Sequence, residues 1–220
     1  TFHQHGVYGE AVLTLITVQN TREVSRVEVV DPKLVADQIR AVVCDIPPQA
    51  AKTGALGNAQ VIEAVAREAA SFHFPLVVDP VMISKHGAPL MLEEARVAAR
   101  ELLLPVTFLL PPNLYEAESL TGTPVETISD MKRAAERLYA MGCKSVLVKG
   151  GHLGGTPTDV LFTEGEFHEF TADRIDTSHT HGTGCTYSAT ITAGLAKGIR
   201  LIEAVARAKS YITPAKQTTE

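Results

Sequence analysis

Short apolar runs alternate along the chain with longer stretches in which apolar residues recur at helical spacing. The β-branched run of residues 12–18 predicts a strand buried on both faces, and residues 24–30 alternate as an edge strand would. Further strands are predicted at residues 49–53, 76–78, 107–110 and 145–148, and a hairpin at residues 159–171. Each inner strand is short and is followed by polar or glycine-rich residues, as in an α/β fold.

Helix caps and apolar stripes mark the segments between these strands. Asp31-Pro32 and Asn58 each precede a stripe of helical period, residues 93–103 form another helix, and Ser129 is predicted to cap a helix ending at Gly142. Beyond Cys185 the chain is helical again, with Gly198 at its C-terminal cap and one narrow face of small residues: Ala189, Thr192, Ala193 and Ala196. A last helix starts at Leu201. The alternation predicts a mostly parallel sheet with helices on both faces.

Composition narrows the class of protein further. The 220 residues can bury one sizeable core, so a single domain is expected, and a net charge of −5 gives no reason to expect a nucleic acid or an anionic membrane as partner. No apolar run is long enough to span a bilayer. The three cysteines are far apart in the sequence and indicate neither a disulfide framework nor a zinc site, and this cysteine pattern favours the cytoplasm. A dinucleotide oxidoreductase is a weak alternative, because no Gly-x-Gly-x-x-Gly opens a helix after a strand.

Polar side chains follow the predicted inner strands at the point where each strand ends. They are Gln19, Asp79, Asn113 and Lys149. Because ligands of open α/β sheets bind beyond the carboxyl ends of the strands, these four residues are expected to share one site.

The segment Gly182-Thr183-Gly184-Cys185 runs directly into the small-residue helix. Backbone N–H groups and the positive end of the helix dipole make such a place an anion site, which suits phosphoryl transfer to an alcohol. A thiol held there is expected to ionise more readily, so Cys185 is a potential thiolate base. The same residues also fit a tight turn followed by a small apolar side chain, and both interpretations stand on the sequence alone.

Other residues of this region also permit two interpretations each. Asn113 and Glu116 lie on one helix face and suit Mg²⁺, or they are an N-cap with a first-turn carboxylate. Lys149, followed by two glycines, suits nucleotide phosphates or is an ordinary strand-end lysine. Asp79 before Pro80 binds Mg²⁺ through water or organises a turn. His181 suits a hydrogen-bond donor to a phosphate, or it is a solvated loop histidine.

Seven motifs occur in the order found in one enzyme family. Together the chain resembles the hydroxymethylpyrimidine and phosphomethylpyrimidine kinases of thiamine biosynthesis, in the ribokinase superfamily, over nearly its whole length. The motifs are Gly6-Val7-Tyr8-Gly9, Val18-Gln19-Asn20-Thr21, Lys52-Thr53-Gly54, residues 78–82, residues 112–118, residues 148–152 and residues 180–185.

The resemblance implies a three-layer ribokinase-like fold and ATP- and Mg²⁺-dependent phosphorylation of 4-amino-5-hydroxymethyl-2-methylpyrimidine and of its monophosphate. It implies that Cys185 is the base and that Gly182, Thr183 and Gly184, with the Cys185 amide, form the anion hole. It also implies roles for other matching positions: Lys149 and Asp79 near the nucleotide phosphates, Asn113 and Glu116 at Mg²⁺ and phosphate, Gln19 as a polar contact to the pyrimidine, and Val81 as an apolar wall beside it.

The chain departs from the family pattern at its ends and at one pocket position. The family begins with a strand and a glycine-rich loop ahead of the residue matching Thr1 and has a tail beyond Glu220, and neither is in this sequence. Ala55 stands where the family often has a Met that packs on the pyrimidine. A pyridoxal or pyridoxine kinase of the same branch is an alternative, because pyridoxal is also a flat heteroaromatic ring with a hydroxymethyl arm. A non-catalytic ligand-binding protein is another, because the family's N-terminal segment is missing. A homodimer and a mobile lid at residues 84–89 are further expectations.

Overall fold

The computed structural model describes residues 1–20, 22–83, 90–151, 153–175 and 182–215. The elements in these ranges are β1 (Leu15–Gln19), β2 (Val24–Val29), α1 (Pro32–Asp45), β3 (Ala51–Thr53), α2 (Ala59–Ala69), β4 (Leu76–Val78), α3 (Glu93–Ala98), α4 (Leu114–Thr121), α5 (Ile128–Ala140), β5 (Ser145–Val148), β6 (Thr158–Thr163), β7 (Glu166–Thr171), α6 (Thr183–Ala196) and α7 (Leu201–Ala215). A 3₁₀ turn, His3–His5, precedes them.

The main sheet is parallel in its first half and antiparallel in its second. β3 pairs with β4 in parallel, and parallel bridges join Val77 to Leu109 and Leu110 to Val146, so that residues 108–110 lie between β4 and β5. β5, β6 and β7 pair in antiparallel order, and β6 and β7 form the predicted hairpin. The α/β class predicted from the sequence is confirmed.

Helices cover both faces of this sheet. Successive strand residues alternate between two apolar clusters, as the two-residue period of a strand requires. Val77, Leu109, Leu147 and Leu161 pack with residues of α6 and α7. Their neighbours in the strands, including Val78, Leu110, Val146 and Val160, pack with residues of α1 to α5. The two clusters therefore give three layers, with the strands in the middle.

The helix starts follow the predicted caps in two cases and differ in a third. Asp31 and Asn58 each accept a backbone N–H from the first turn of their helix, at 3.0 and 2.9 Å. The prediction of Ser129 as a cap is wrong, because Thr127 caps α5 and Asp130 returns a hydrogen bond to the Thr127 backbone. A threonine followed three residues later by a carboxylate satisfies two N–H groups, whereas Ser129 lies inside the first turn.

The predicted helix of residues 93–103 is α-helical only as far as Ala98. It continues as a π-helical segment, Ala99–Leu103, and a 3₁₀ turn, Leu104–Val106. Pro105 has no backbone N–H to donate to the preceding turn, which accounts for the change of hydrogen-bond pattern before it.

The prediction that residues 12–18 form a strand buried on both faces is wrong. β1 pairs with β2 in an antiparallel two-stranded ribbon, and Ile16 and Val18 are each 56% exposed. A short connection can join only antiparallel neighbours, so β1 cannot enter the parallel part of the sheet beside β2. The ribbon carries apolar side chains that no described element covers.

Among the described residues, no helix is both long and apolar enough to cross a bilayer.

Candidate active site

The N-terminus of α6 is built on a glycine. Gly182 caps the helix with φ of +75°, a left-handed conformation that costs other residues free energy, and its carbonyl accepts the Thr186 N–H at 2.8 Å. Gly184 and Cys185 lie in the first turn, whose N–H groups have no partner within a helix. The predicted anion site therefore has the expected backbone form.

Lys149 brings a positive charge to this helix end. It follows β5 directly, and its backbone N–H donates to the Pro112 carbonyl at 2.8 Å. A Cβ placed on Gly184 would lie 3.6 Å from Lys149 Nζ, so the ammonium is beside the first turn of α6. Burial alone would lower the pKa of Lys149, but the carboxylates of Asp79, Glu116 and Asp159 more than offset this and raise it. Lys149 is thus held as a cation.

Asp79 joins the end of β4 to both Lys149 and α6. Its carboxylate is almost fully buried, with Oδ1 3.6 Å from Lys149 Nζ, and its Oδ2 accepts the Ser188 hydroxyl at 2.8 Å. A buried carboxylate needs such partners, because an unpaired charge away from water is expensive. The structure therefore brings together Asp79, Lys149 and the α6 terminus, as the strand ends predicted.

Asn113 and Glu116 form a reciprocal cap at the start of α4. Asn113 Oδ1 accepts the Glu116 N–H at 2.9 Å, and Glu116 Oε2 accepts the Asn113 N–H at 2.8 Å. The pKa of Glu116 is raised from 4.5 to about 7, chiefly by burial and also by Asp79, against the lowering effect of Lys149 and of the Asn113 and Met82 backbone. The capping interpretation is confirmed, and a role at Mg²⁺ stays a prediction.

The carboxylates near Lys149 fit a magnesium ion of the kind used by kinases. Within the described ranges, no group of three or more His, Cys, Asp or Glu side chains is placed to enclose a metal. Mg²⁺ in phosphoryl-transfer sites needs only one or two carboxylates, since phosphate oxygens and water supply the other ligands. Asp79 raises the pKa of Glu116 and lies 3.6 Å from the Lys149 ammonium, which in turn lowers the pKa of Glu116, so the two carboxylates are near enough to meet this requirement.

The prediction that the helix end favours the ionised thiol of Cys185 is wrong for the free protein. Cys185 is exposed, yet loss of hydration to the surrounding protein raises the pKa of its thiol, and Asp79 and Glu116 raise it further. Lys52 and Lys149 act in the opposite direction without reversing the shift. Burial, together with the nearby carboxylates, therefore outweighs the two cations, and the thiol is protonated near neutral pH.

A groove of about 610 Å³ leads away from Cys185 along β3. Apolar residues of α1, among them Val42 and Val43, form one side of the groove, and the small-residue face of α6 forms the other. That face consists of Ala189, Thr192, Ala193 and Ala196, the four residues predicted to share it. Lys52, Thr53 and Gly54 line the end near Cys185, and the Thr53 hydroxyl is buried there without a hydrogen-bond partner within the described structure.

The three residues predicted to contact the pyrimidine do not lie together in the structure. Gln19 is exposed at the end of β1 and is not among the groove residues. Val81 lies in a turn beside Asp79, to whose carbonyl its N–H donates at 2.9 Å. Ala55 follows the groove residue Gly54, and its carbonyl accepts the Thr14 hydroxyl. His181 and the proposed lid at residues 84–89 lie outside the described residues.

Sequence reasoning missed the residues that hold this site together. Ser188 binds Asp79, and Asp159 binds the backbone of Gly150 directly after Lys149. Ser188 lies three residues after Cys185, so helical spacing was a signal that it faces the same side. Asp159 had no such signal, because its partners come from distant parts of the chain.

Comparison with known proteins identifies the family. The model of the family described as phosphomethylpyrimidine kinase matches residues 1–219. The chain belongs to that family. A hydroxymethylpyrimidine/phosphomethylpyrimidine kinase of Bacillus subtilis is 41% identical over the whole chain and 82% of its own length. A bifunctional thiamine biosynthesis protein of Geobacter sulfurreducens is 47% identical over 96% of this chain, which spans 43% of that relative.

Solved structures of kinases share the fold. A phosphomethylpyrimidine kinase of Clostridium difficile is 40% identical, with a TM-score of 0.86 over 97% of this chain and 89% of its own. A pyridoxal kinase of Staphylococcus aureus, in complex with AMP-PCP and pyridoxal, is 31% identical, with a TM-score of 0.89 over 99% of this chain and 80% of its own. The resemblance carried by the sequence motifs is confirmed, and with it the prediction of a kinase with a ribokinase-like fold.

Proposed function

We propose that this protein transfers the γ-phosphoryl group of ATP to the hydroxymethyl group of 4-amino-5-hydroxymethyl-2-methylpyrimidine and then to the resulting monophosphate. The observation that carries the proposal is the position of the Lys149 ammonium beside both Asp79 and the first turn of α6. A cation at a helix N-terminus stabilises the charge that spreads over the transferred phosphoryl group. The family and the relatives named as this kinase support the choice of substrate.

The anion hole would consist of the Gly182–Cys185 backbone. Gly182 sets the entry of the chain into α6, and the amides of Gly184 and Cys185 point out of the helix end. Lys149 lies close enough to Gly184 for both to contact one phosphate. These groups are fixed by the fold before any nucleotide binds, so little reorganisation is needed during the reaction.

Glu116 and Asp79, with Asn113 at the same corner, would hold Mg²⁺ together with the nucleotide phosphates. The ion supplies charge neutralisation at the β- and γ-phosphate oxygens when it is bound. Asn113 Oδ1 already accepts one hydrogen bond in the cap, so its side-chain oxygen has one lone pair left for this purpose. Glu116 also accepts an N–H in the cap, but a carboxylate has two oxygens with about four lone pairs, so it is the better placed of the two predicted ligands.

Cys185 would accept the proton of the substrate hydroxyl. Its thiol is protonated in the free protein near neutral pH, so the base is the minor thiolate fraction, which grows as the pH rises. Lys52 and Lys149 are the cations that favour this fraction. Gln19, Val81 and Ala55 remain the proposed contacts to the pyrimidine ring.

We infer that the groove along β3 is completed by one more β-strand. Apolar side chains on both sides of a strand edge are the surroundings of an inner strand, and β4 already occupies the other edge of β3. A strand there would close one wall beside Cys185.

We further propose that residues 1–220 act as one kinase domain, because both helical layers share one sheet. We also propose that the exposed apolar ribbon of β1 and β2 contacts a second copy of the chain in a homodimer.

A pyridoxal kinase is the second candidate function. Its specific support is the close fit to pyridoxal kinase structures, with a TM-score of 0.88 for the Bacillus subtilis enzyme in an ADP complex. Both substrates are flat heteroaromatic rings with a hydroxymethyl arm. The identity to these neighbours, 34% and 31%, is below the 41% found for the pyrimidine kinase of Bacillus subtilis, which favours the pyrimidine.

The test is ADP release with Mg·ATP and each of three acceptors: the hydroxymethylpyrimidine, its phosphate and pyridoxal. We expect turnover on both pyrimidines to exceed turnover on pyridoxal, and Cys185→Ala to abolish most of it while Mg·ATP still binds. Higher turnover on pyridoxal would favour the second candidate. Unchanged turnover of Cys185→Ala would refute the assignment of the base.

A further inference from the structure

A buried cluster of charged and polar groups lies next to the corner that carries Lys149. Its centre is Asp159, the second residue of β6, which is 2% exposed. Lys209 Nζ of α7 lies 2.8 Å from Asp159 Oδ2, and the Tyr187 hydroxyl of α6 donates to the same oxygen at 2.9 Å. Asp159 Oδ1 accepts the Gly150 N–H at 2.9 Å. One carboxylate thus joins two helices to the ends of two strands.

Stability alone is a weak reason for such a cluster. Removing a carboxylate and an ammonium from water costs much of what their attraction returns, and apolar pairs of similar size are often as stable. Here both carboxylate oxygens are nevertheless satisfied, by three donors from three separate elements. Full satisfaction of a buried polar group fixes the relative position of its partners.

The first partner is the backbone directly after Lys149. A Cβ on Gly150 would lie 1.9 Å from the Thr158 carbonyl oxygen, so the chain passes β6 at a distance that only glycine permits. The Lys149 N–H is held on the other side by Pro112. The position from which the Lys149 side chain extends is therefore determined by β6 through Asp159 and by the segment before α4.

The second partner is the helix that carries the anion site. Tyr187 and Ser188 follow Cys185 by two and three residues, and they bind two different carboxylates, Asp159 and Asp79 respectively. The beginning of α6 is thereby attached to the ends of two strands that lie on either side of Lys149. Both carboxylates also attract the Lys149 ammonium.

We propose that Asp159 is a positioning residue, which holds the Lys149–Gly150 corner and the first turns of α6 at the separation that a nucleotide phosphate requires. Lys209 neutralises the carboxylate so that it can be buried there. The inference rests on the proposed kinase function, in which Lys149 and the α6 terminus bind the same phosphate. Asp159 acts through these groups and does not touch the substrate.

Two double variants separate positioning from simple packing. Asp159→Asn/Lys209→Met removes both charges but keeps an oxygen for the Gly150 N–H and an amide for Tyr187. Asp159→Leu/Lys209→Met fills the same space and leaves the Gly150 N–H without an acceptor. We expect the first to keep kcat/KM for Mg·ATP within about threefold of the unmodified protein, and the second to lose about 10- to 100-fold.

A matched control removes a buried hydrogen bond elsewhere between the paired strands β5 and β6. Ser145 and Thr163 share one at 2.7 Å, at the other end of the β5–β6 pair. Ser145→Ala is expected to lower the midpoint of unfolding without changing kcat/KM. If the Leu-containing double variant does not fold, Tyr187→Phe removes one hydrogen bond at constant shape and is expected to lower kcat/KM about three- to tenfold.

Three readouts are compared: kcat/KM, the affinity for Mg·ADP and hydrogen exchange of the Gly150 amide. The inference predicts that all three change together in Asp159→Leu/Lys209→Met, with faster exchange and weaker binding. Equal activity of the two double variants, or activity that follows stability alone across all variants including Ser145→Ala, would overturn it. Should the unmodified protein not phosphorylate the pyrimidine, the proposed function fails, while Mg·ADP affinity and Gly150 exchange still decide the inference.

Discussion

Replacing Glu116 with Gln should make the free protein more stable in alkaline solution and leave it nearly unchanged in acid. The carboxyl is 6% exposed, and its pKa is raised from 4.5 to about 7, chiefly by burial. A carboxyl with a raised pKa binds its proton more tightly in the folded state. Its contribution to stability is therefore fully present below the unfolded pKa and is lost as the pH rises through 7.

The size of the effect follows from the shift. Raising the pKa from 4.5 to about 7 corresponds to about 3.4 kcal/mol between fully protonated and fully ionised states, at ~1.36 kcal/mol per pH unit. Between pH 5 and pH 8 the unmodified protein should lose about 2.5 kcal/mol of this, because part of the change already occurs below pH 5. Glu116→Gln, which does not titrate, should escape that loss.

Urea unfolding at pH 5, 6, 7 and 8 measures the difference, with Glu118→Gln as the control. Glu118 lies on the same helix but is exposed, so its substitution should change stability by less than about 0.5 kcal/mol at every pH. In the same proteins, Mg·ADP affinity should rise with pH for the unmodified chain and not for Glu116→Gln. A stability gain of Glu116→Gln that is the same at pH 5 and pH 8 would refute the reasoning.

Three further predictions concern α6 and α5. The kcat/KM of the unmodified kinase should increase with pH beyond the ordinary thiol range, because the pKa of Cys185 is raised in the free protein and the thiolate is the base; a plateau reached below pH 7 in the kcat/KM profile would contradict this. Gly182→Ala should cost about 1–2 kcal/mol of stability through its left-handed φ, whereas Gly184→Ala should retain stability and weaken Mg·ATP binding, as measured by thermal unfolding and calorimetry. Thr127→Ala should cost about 1 kcal/mol and Ser129→Ala much less, and equal losses in urea unfolding would disprove the assigned cap.

The local features of the fold were predictable from the sequence because their causes are local. A capping side chain such as Asp31 or Asn58 binds an N–H three residues away, and the stripe of α6 depends only on helical period. Residues 12–18 were mispredicted because their composition matches that of an inner strand. Their exposure is decided by β2, whose short connection fixes them in an antiparallel ribbon.

The sequence predicted which residues lie at the site better than it predicted the hydrogen bonds between them. Asp79, Asn113 and Lys149 were found because parallel strands end at one edge, a rule that applies without knowing which side chains meet. The bonds of Ser188 and Asp159 depend on how α6 lies across the sheet. Nothing within a few residues of Asp159 distinguishes it from any other strand carboxylate, and its partner Lys209 is 50 residues away.

The helix terminus alone predicts the wrong direction for the pKa shift of Cys185, because burial of the thiol and, after it, the nearby carboxylates raise that pKa. A helix N-terminus favours an anion, but Asp79, Glu116 and the thiol compete for the same ammonium. Asp79 in addition accepts a hydrogen bond from the Ser188 hydroxyl. Glu116 and Cys185 reduce the excess negative charge by retaining protons. Binding of additional positive charge at this corner should therefore release protons from Glu116 and Cys185. The pKa of Cys185, the proposed base, then depends on whether the nucleotide site is occupied.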